Sequence, residues 1–189
     1  GWRNKNVRSR LMGIPTLIST ATASNASSVD ITSGIDSTYD EYMFVCTDIG
    51  PATDTAVFTV QFNVASASGF NETMTTTYFQ AQHDEADSDT GLGYIADRDQ
   101  AQGTGYQEIT RQIGNGADES AAGILHLFSP SNTTYVTHFY SRFNVYMSSN
   151  FTMDVYVAGY VNATAAVDEI SFKMDSGNFD GVIQMYGIA

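Results

Sequence analysis

The stretch from His83 to Gly105 holds the residues best suited to chemistry. His83, Asp84, Glu85, Asp87, Asp89, Asp97 and Asp99 place six carboxylates and one imidazole close together. Calcium takes about six to eight oxygen ligands in a flexible shell, and carboxylate-rich loops supply them. Asp87, Asp89 and Gly91 open like a helix-loop-helix calcium site. The twelfth position counted from Asp87 is Arg98, where that motif requires Glu, so the motif is excluded. What remains is a generic Ca²⁺ or other cation site with Asp84, Asp87 and Asp89 as candidate ligands. The plainer reading is a solvated acidic loop.

Other reactive types lack the spacing that chemistry needs. His126 and His138 flank a turn and fall on paired strands, but a metal pair needs a third ligand and none is indicated. No Gly-x-Ser-x-Gly elbow, phosphate loop or dinucleotide fingerprint occurs. Two distant carboxylates can meet for glycoside hydrolysis, yet nothing singles out a pair. Cys46 is the only cysteine and sits in the apolar run Tyr42-Met43-Phe44-Val45-Cys46, which predicts a buried, inert thiol. Gly114-Asn115-Gly116 followed by Asp118 and Glu119 reads as a tight acidic turn stabilised by Asx hydrogen bonding. Five Asn-x-Ser/Thr sequons, at Asn25, Asn71, Asn132, Asn150 and Asn162, are read as chance in a chain rich in Asn and Thr. No cofactor is expected, and the protein is expected not to be an enzyme.

Charge divides the chain. Arg3, Lys5, Arg8 and Arg10 are four of its eight basic residues, and no acid lies among the first ten positions. The rest carries 4 basic and 21 acidic groups, or −17 of the total −13 once the +4 arm is set aside. An acidic body repels phosphates, which argues against nucleic-acid binding. Residues 1–13 are therefore expected to form a basic N-terminal arm. Trp2, Arg3, Lys5, Arg8 and Arg10 are its candidate docking residues, with Trp2 as an apolar anchor against an acidic partner surface or a neighbouring copy. No run of 18 apolar residues occurs, so no membrane span is expected.

The elements that must position these residues are strands. Helical periodicity is nearly absent, while alternating and β-rich runs recur between Gly, Asn, Asp and Ser clusters. The strand candidates are Thr16–Thr22, Val29–Thr32, Tyr39–Ile49, Ala56–Val64, Thr75–Gln82, Gly123–Phe128, Tyr135–Phe143, Met153–Val161, Ile170–Met174 and Val182–Tyr186. Tyr106–Ile113 is a weaker one. Ser129-Pro130-Ser131-Asn132 predicts a hairpin between two of them. Pro51 is expected to stop the strand that ends at Ile49. Gly177 is expected at a tight turn, and Gly187 to give backbone freedom at a strand end. Residues 83–105 are expected to be a long loop, and 14–189 a single all-β antiparallel sandwich domain.

Several separated segments resemble a recurrent module of tailed-phage structural and tail-fibre proteins, especially marine ones. They are Val29-Asp30-Ile31-Thr32-Ser33-Gly34-Ile35-Asp36-Ser37-Thr38-Tyr39 with Pro51-Ala52-Thr53-Asp54; Gly114-Asn115-Gly116 with Glu119-Ser120; Leu127-Phe128-Ser129-Pro130-Ser131; Phe172-Lys173-Met174-Asp175-Ser176-Gly177-Asn178-Phe179; and Met185-Tyr186-Gly187-Ile188. They fall in the expected order over residues 16–188. The resemblance implies a jelly-roll-like sandwich and a place in the virion, and brings no catalytic residues. It points to a non-enzymatic head decoration or accessory fibre-type protein, docked on capsid or tail proteins and assembled as a homo-oligomer, a trimer being one form. The alternative is a tail adhesin that holds host glycans, with Tyr94 and Tyr106 among its stacking residues.

Overall fold

The computed structural model describes residues 13–189. The docking residues expected at Trp2, Arg3, Lys5, Arg8 and Arg10 lie outside them. Strands β1 (Thr16–Ala26), β2 (Val29–Ile31), β3 (Glu41–Pro51) and β4 (Phe58–Val64) come first. They are followed by β5 (Met74–Asp84), β6 (Thr90–Tyr94), a single 3₁₀ turn at Ala96–Arg98, β7 (Ala101–Gly103) and β8 (Gln107–Glu108). The chain ends with β9 (Ala121–Phe128), β10 (Thr137–Met147), β11 (Phe151–Val161), β12 (Val167–Met174) and β13 (Phe179–Ile188).

All pairings are antiparallel, and they form two sheets. The larger runs β1-β13-β3-β9-β10-β11-β5-β6, with β7 also on β5; the smaller runs β2-β12-β4-β8. The connectivity has a simple inner logic. Set aside β5, β6, β7, β10 and β11, and number the remaining eight strands in chain order. The sheets then read 1-8-3-6 and 2-7-4-5, with the pairs 1-8, 2-7, 3-6 and 4-5 each made: β1 on β13, β2 on β12, β3 on β9, β4 on β8. This is the double Greek key of a jelly roll. Two insertions, β5–β7 and β10–β11, extend one edge of the first sheet.

Alternation explains the packing. Along β10 the inward residues Thr137, Phe139, Ser141, Phe143 and Val145 are buried, and the residues that alternate with them, His138, Tyr140, Arg142 and Asn144, are exposed. One hydrophobic cluster joins the inner faces of both sheets. At its centre Phe58 from the small sheet stacks on Phe172, centroids 5.6 Å apart and 13° between planes. Phe143 and Phe179 of the large sheet meet Phe58 edge-on at 6.1 and 5.4 Å. Cys46 is fully buried in this core, and burial pushes its thiol well above the ordinary range.

Four expectations need correction. The stretch 83–105 is not one long loop, because β6, the 3₁₀ turn and β7 lie within it, held on the edge of β5. Only Gln107–Glu108 of the 106–113 candidate is a strand; Ile113 adds an isolated bridge to Ala56. Pro51 does not stop β3 at Ile49 but is its last residue, opposite Phe179. Gly187 lies within β13, and its role is space rather than freedom: a Cβ there would sit 2.2 Å from the Tyr39 ring. Gly177 does take the turn conformation, with φ +74°.

Candidate functional site

The acidic loop is built around Asp84, the last residue of β5. Its carboxylate accepts the Ser88 hydroxyl at 2.5 Å and the amide N–H groups of Ser88 and Asp89, both at 2.8 Å. The Ser88 hydroxyl, then the two amides, hold its carboxyl well below the usual range, at about 2. Asp84 is thus the anchor of the turn joining β5 to β6. Asp87 and Asp89 are engaged differently. Asp87 meets the His83 imidazole at 3.2 Å on the surface, and Asp89 takes part through its backbone. Among the described residues no three His, Cys, Asp or Glu side chains are grouped to hold a metal ion. The candidates Asp84, Asp87 and Asp89 are not brought together as a ligand set.

The sign of the Asp84 shift sets its pH behaviour. A carboxyl depressed in the folded state stabilises the turn above the ordinary carboxylate range, and that support is lost as pH falls through about 2. At neutral pH, Asp84→Ala removes all three hydrogen bonds at once. Amide protection at Ser88 and Asp89, read by hydrogen exchange, is expected to fall toward unprotected values, with β11 unchanged. Undiminished protection would show that the turn holds without the carboxylate.

The other acidic turn is also structural. Glu119, not Asn115, closes it, accepting the Gly116 amide at 2.5 Å. The histidines lie on the outer face of the large sheet. His126 stands opposite Tyr140 and His138 opposite Phe128, and His126 pairs with Glu41. Tyr106 does not offer a free ring. Lys173 Nζ sits 4.2 Å from its centroid, and its hydroxyl donates to Ser171. Tyr94 is exposed, with its hydroxyl donated to Asp99.

One feature is absent from the sequence expectations. Outward positions of the large sheet carry aromatic and aliphatic side chains where a solvated face would be polar. Ile124, Arg142, Tyr156, Phe79 and Tyr94 run as one row across β9, β10, β11, β5 and β6. The Phe79 and Tyr156 rings stack 4.7 Å apart at 4°, and Arg142 sits 4.9 Å over Tyr156. Beside them His126, Tyr140 and Phe128 form a second stack, with His126 and Tyr140 4.7 Å apart. A groove of about 560 Å³ crosses this face between Ile124, His126, Tyr140, Arg142, Asn144 and Asp154. The signal was available: β9, β10 and β11 carry large apolar or aromatic residues at both parities, among them Ile124, Phe128, Tyr140, Tyr156 and Tyr160 on the outward one.

Compared with family models, curated proteins and solved structures, the chain matches none.

Proposed function

We propose that this chain is a non-enzymatic structural protein of a tailed-phage virion, a head decoration or accessory fibre-type protein attached through its basic N-terminal arm. The observation that carries the reading is the strand order 1-8-3-6 and 2-7-4-5, the connectivity of viral capsid and lectin jelly rolls. The ordered segments that resemble phage virion proteins support it, as does the split between a +4 arm and a body with 4 basic and 21 acidic residues. The arm docks on an acidic surface of another virion protein or of a neighbouring copy.

The arm is tested by changing Arg3, Lys5, Arg8 and Arg10 together to Ala. Four exposed charge contacts of about 0.5 kcal/mol each predict a loss of virion incorporation of roughly tenfold or more. Unchanged incorporation, measured per virion by quantitative immunoblotting, would refute arm docking. A virion density map separates a capsid position from a tail-tip position.

The second reading is a tail adhesin for host glycans, favoured by exposed Tyr94 and Tyr135. A glycan array that stays blank counts against it.

A further inference from the structure

We infer that the outer face of the large sheet is the surface through which two copies of this chain associate. The inference rests on the oligomeric part of the reading above and names the face that serves it.

Three observations single out this face. First, the small sheet's corresponding face is already covered by its own chain. Gln61 and Ser171 point outward from it, yet both are fully buried beneath residues 104–106. Among the described residues nothing covers the outer face of the large sheet. Second, exposed apolar bulk is concentrated there. Among the described residues, Leu17, Phe79, Leu92, Tyr94, Ile124 and Tyr140 are six of the eight large hydrophobic residues with exposed side chains, and all six project from it. Eight strands about 4.8 Å apart, with outward rows of about 20 Å, span roughly 700 Å². A stable interface takes about 800 Å² per partner.

Third, charge selects the occupant. The described residues carry 4 basic and 21 acidic groups, so two copies repel each other over most of their surfaces. Across β9, β10, β11, β5 and β6 the outward charges cancel: Arg142 binds Asp154 in a fork, Nε to Oδ1 at 3.0 Å and Nη2 to Oδ2 at 2.7 Å. A near-neutral apolar patch on an acidic molecule fits another copy of itself, meeting face to face around a two-fold axis.

Ring orientation argues against a sugar as the occupant. A sugar stacks on a bare ring face. Here Tyr156 lies between Phe79 and Arg142, and Tyr140 lies against His126 and Phe128. With their faces against one another and under Arg142, these rings leave edges for a partner, which suits a protein surface.

The test is sedimentation velocity of the full chain over a dilution series. It compares wild type with an Ile124→Glu, Tyr140→Glu double variant, a Tyr135→Glu control and the four-residue arm variant. Ile124 and Tyr140 are 37% and 45% exposed, so the fold tolerates both changes, and circular dichroism verifies it. Wild type and the Tyr135→Glu control are expected to associate. The double variant is expected to associate at least about 100-fold more weakly, because two central residues turn into four like charges across the axis. A wild type monomeric throughout would overturn the inference. So would a double variant that assembles normally, including the case where only the arm variant falls apart, which leaves the oligomeric reading standing. Glycan binding by a monomeric wild type, lost in the double variant, would overturn it too and assign the face to a sugar. None of these outcomes depends on virion incorporation, so failure of the virion reading is scored separately.

Discussion

Phe58→Ala is expected to be the most damaging single truncation in the sandwich. Phe58 belongs to the small sheet, but its ring bridges the two layers. It stacks on Phe172 at 5.6 Å and meets Phe143 and Phe179, both from the large sheet, at 6.1 and 5.4 Å. It is fully buried, and its amide donates to the Thr110 hydroxyl at 2.8 Å. Truncation removes the ring's transfer free energy and leaves a cavity that two sheets cannot close together. The cost is about 3–5 kcal/mol, out of the roughly 5–15 kcal/mol that stabilises a domain. In thermal unfolding this lowers Tm by roughly 10 °C. Phe58→Leu keeps most of the volume and costs about 1–2 kcal/mol. Near-equal losses from the two variants, measured by denaturant titration, would mean the four-ring cluster does not hold the layers together.

The same cluster shows what the sequence made legible. Phe58, Phe143 and Phe172 fall on inward parities of the runs read from the sequence, while Phe179 lies ahead of the last run, in the part of β13 that only the structure adds, so the sandwich follows from period and turn chemistry. The hairpin at Ser129-Pro130-Ser131-Asn132 and the turn at Gly177 follow likewise. β6 and β7 do not, because Gly91, Gly93 and Gly103 have little strand propensity and only the edge of β5 holds them extended. The acidic loop was legible as composition but not as a role. A carboxylate that caps backbone N–H groups, as Asp84 does, has the same sequence appearance as one that binds a cation. The apolar outer face was legible in principle from strands that carry aromatic or aliphatic residues at both parities. Strand order decides whether such a face is covered, and strand order comes from pairings far apart in the chain, such as Ser171 with Asp30.

Gln61 lies at the point where alternation misleads most. Thr59, Gln61 and Asn63 occupy the outward parity of β4 and read as a solvated face, yet all three are buried. The Gln61 amide group donates to the carbonyls of Glu72, Thr104 and Gly105 at 3.1, 3.1 and 2.9 Å, while its Oε1 accepts the Phe62 amide at 2.8 Å. One side chain therefore ties two loops onto the small sheet and seats Tyr106 over Ser171 and Lys173. Gln61→Leu fills similar space but leaves those carbonyls without their donor. The carbonyls are only partly shielded from water, so the loss is about 1–3 kcal/mol. Gln61→Glu is isosteric and is expected to be worse at neutral pH, since a carboxylate then faces three carbonyl oxygens in a buried position. Both variants should become protease-sensitive around residues 103–106 before global unfolding, because the clamp acts on the loops while the Phe58 cluster stays intact. Denaturant midpoints that place the Glu variant level with the Leu variant would show that water, rather than Gln61, satisfies those carbonyls.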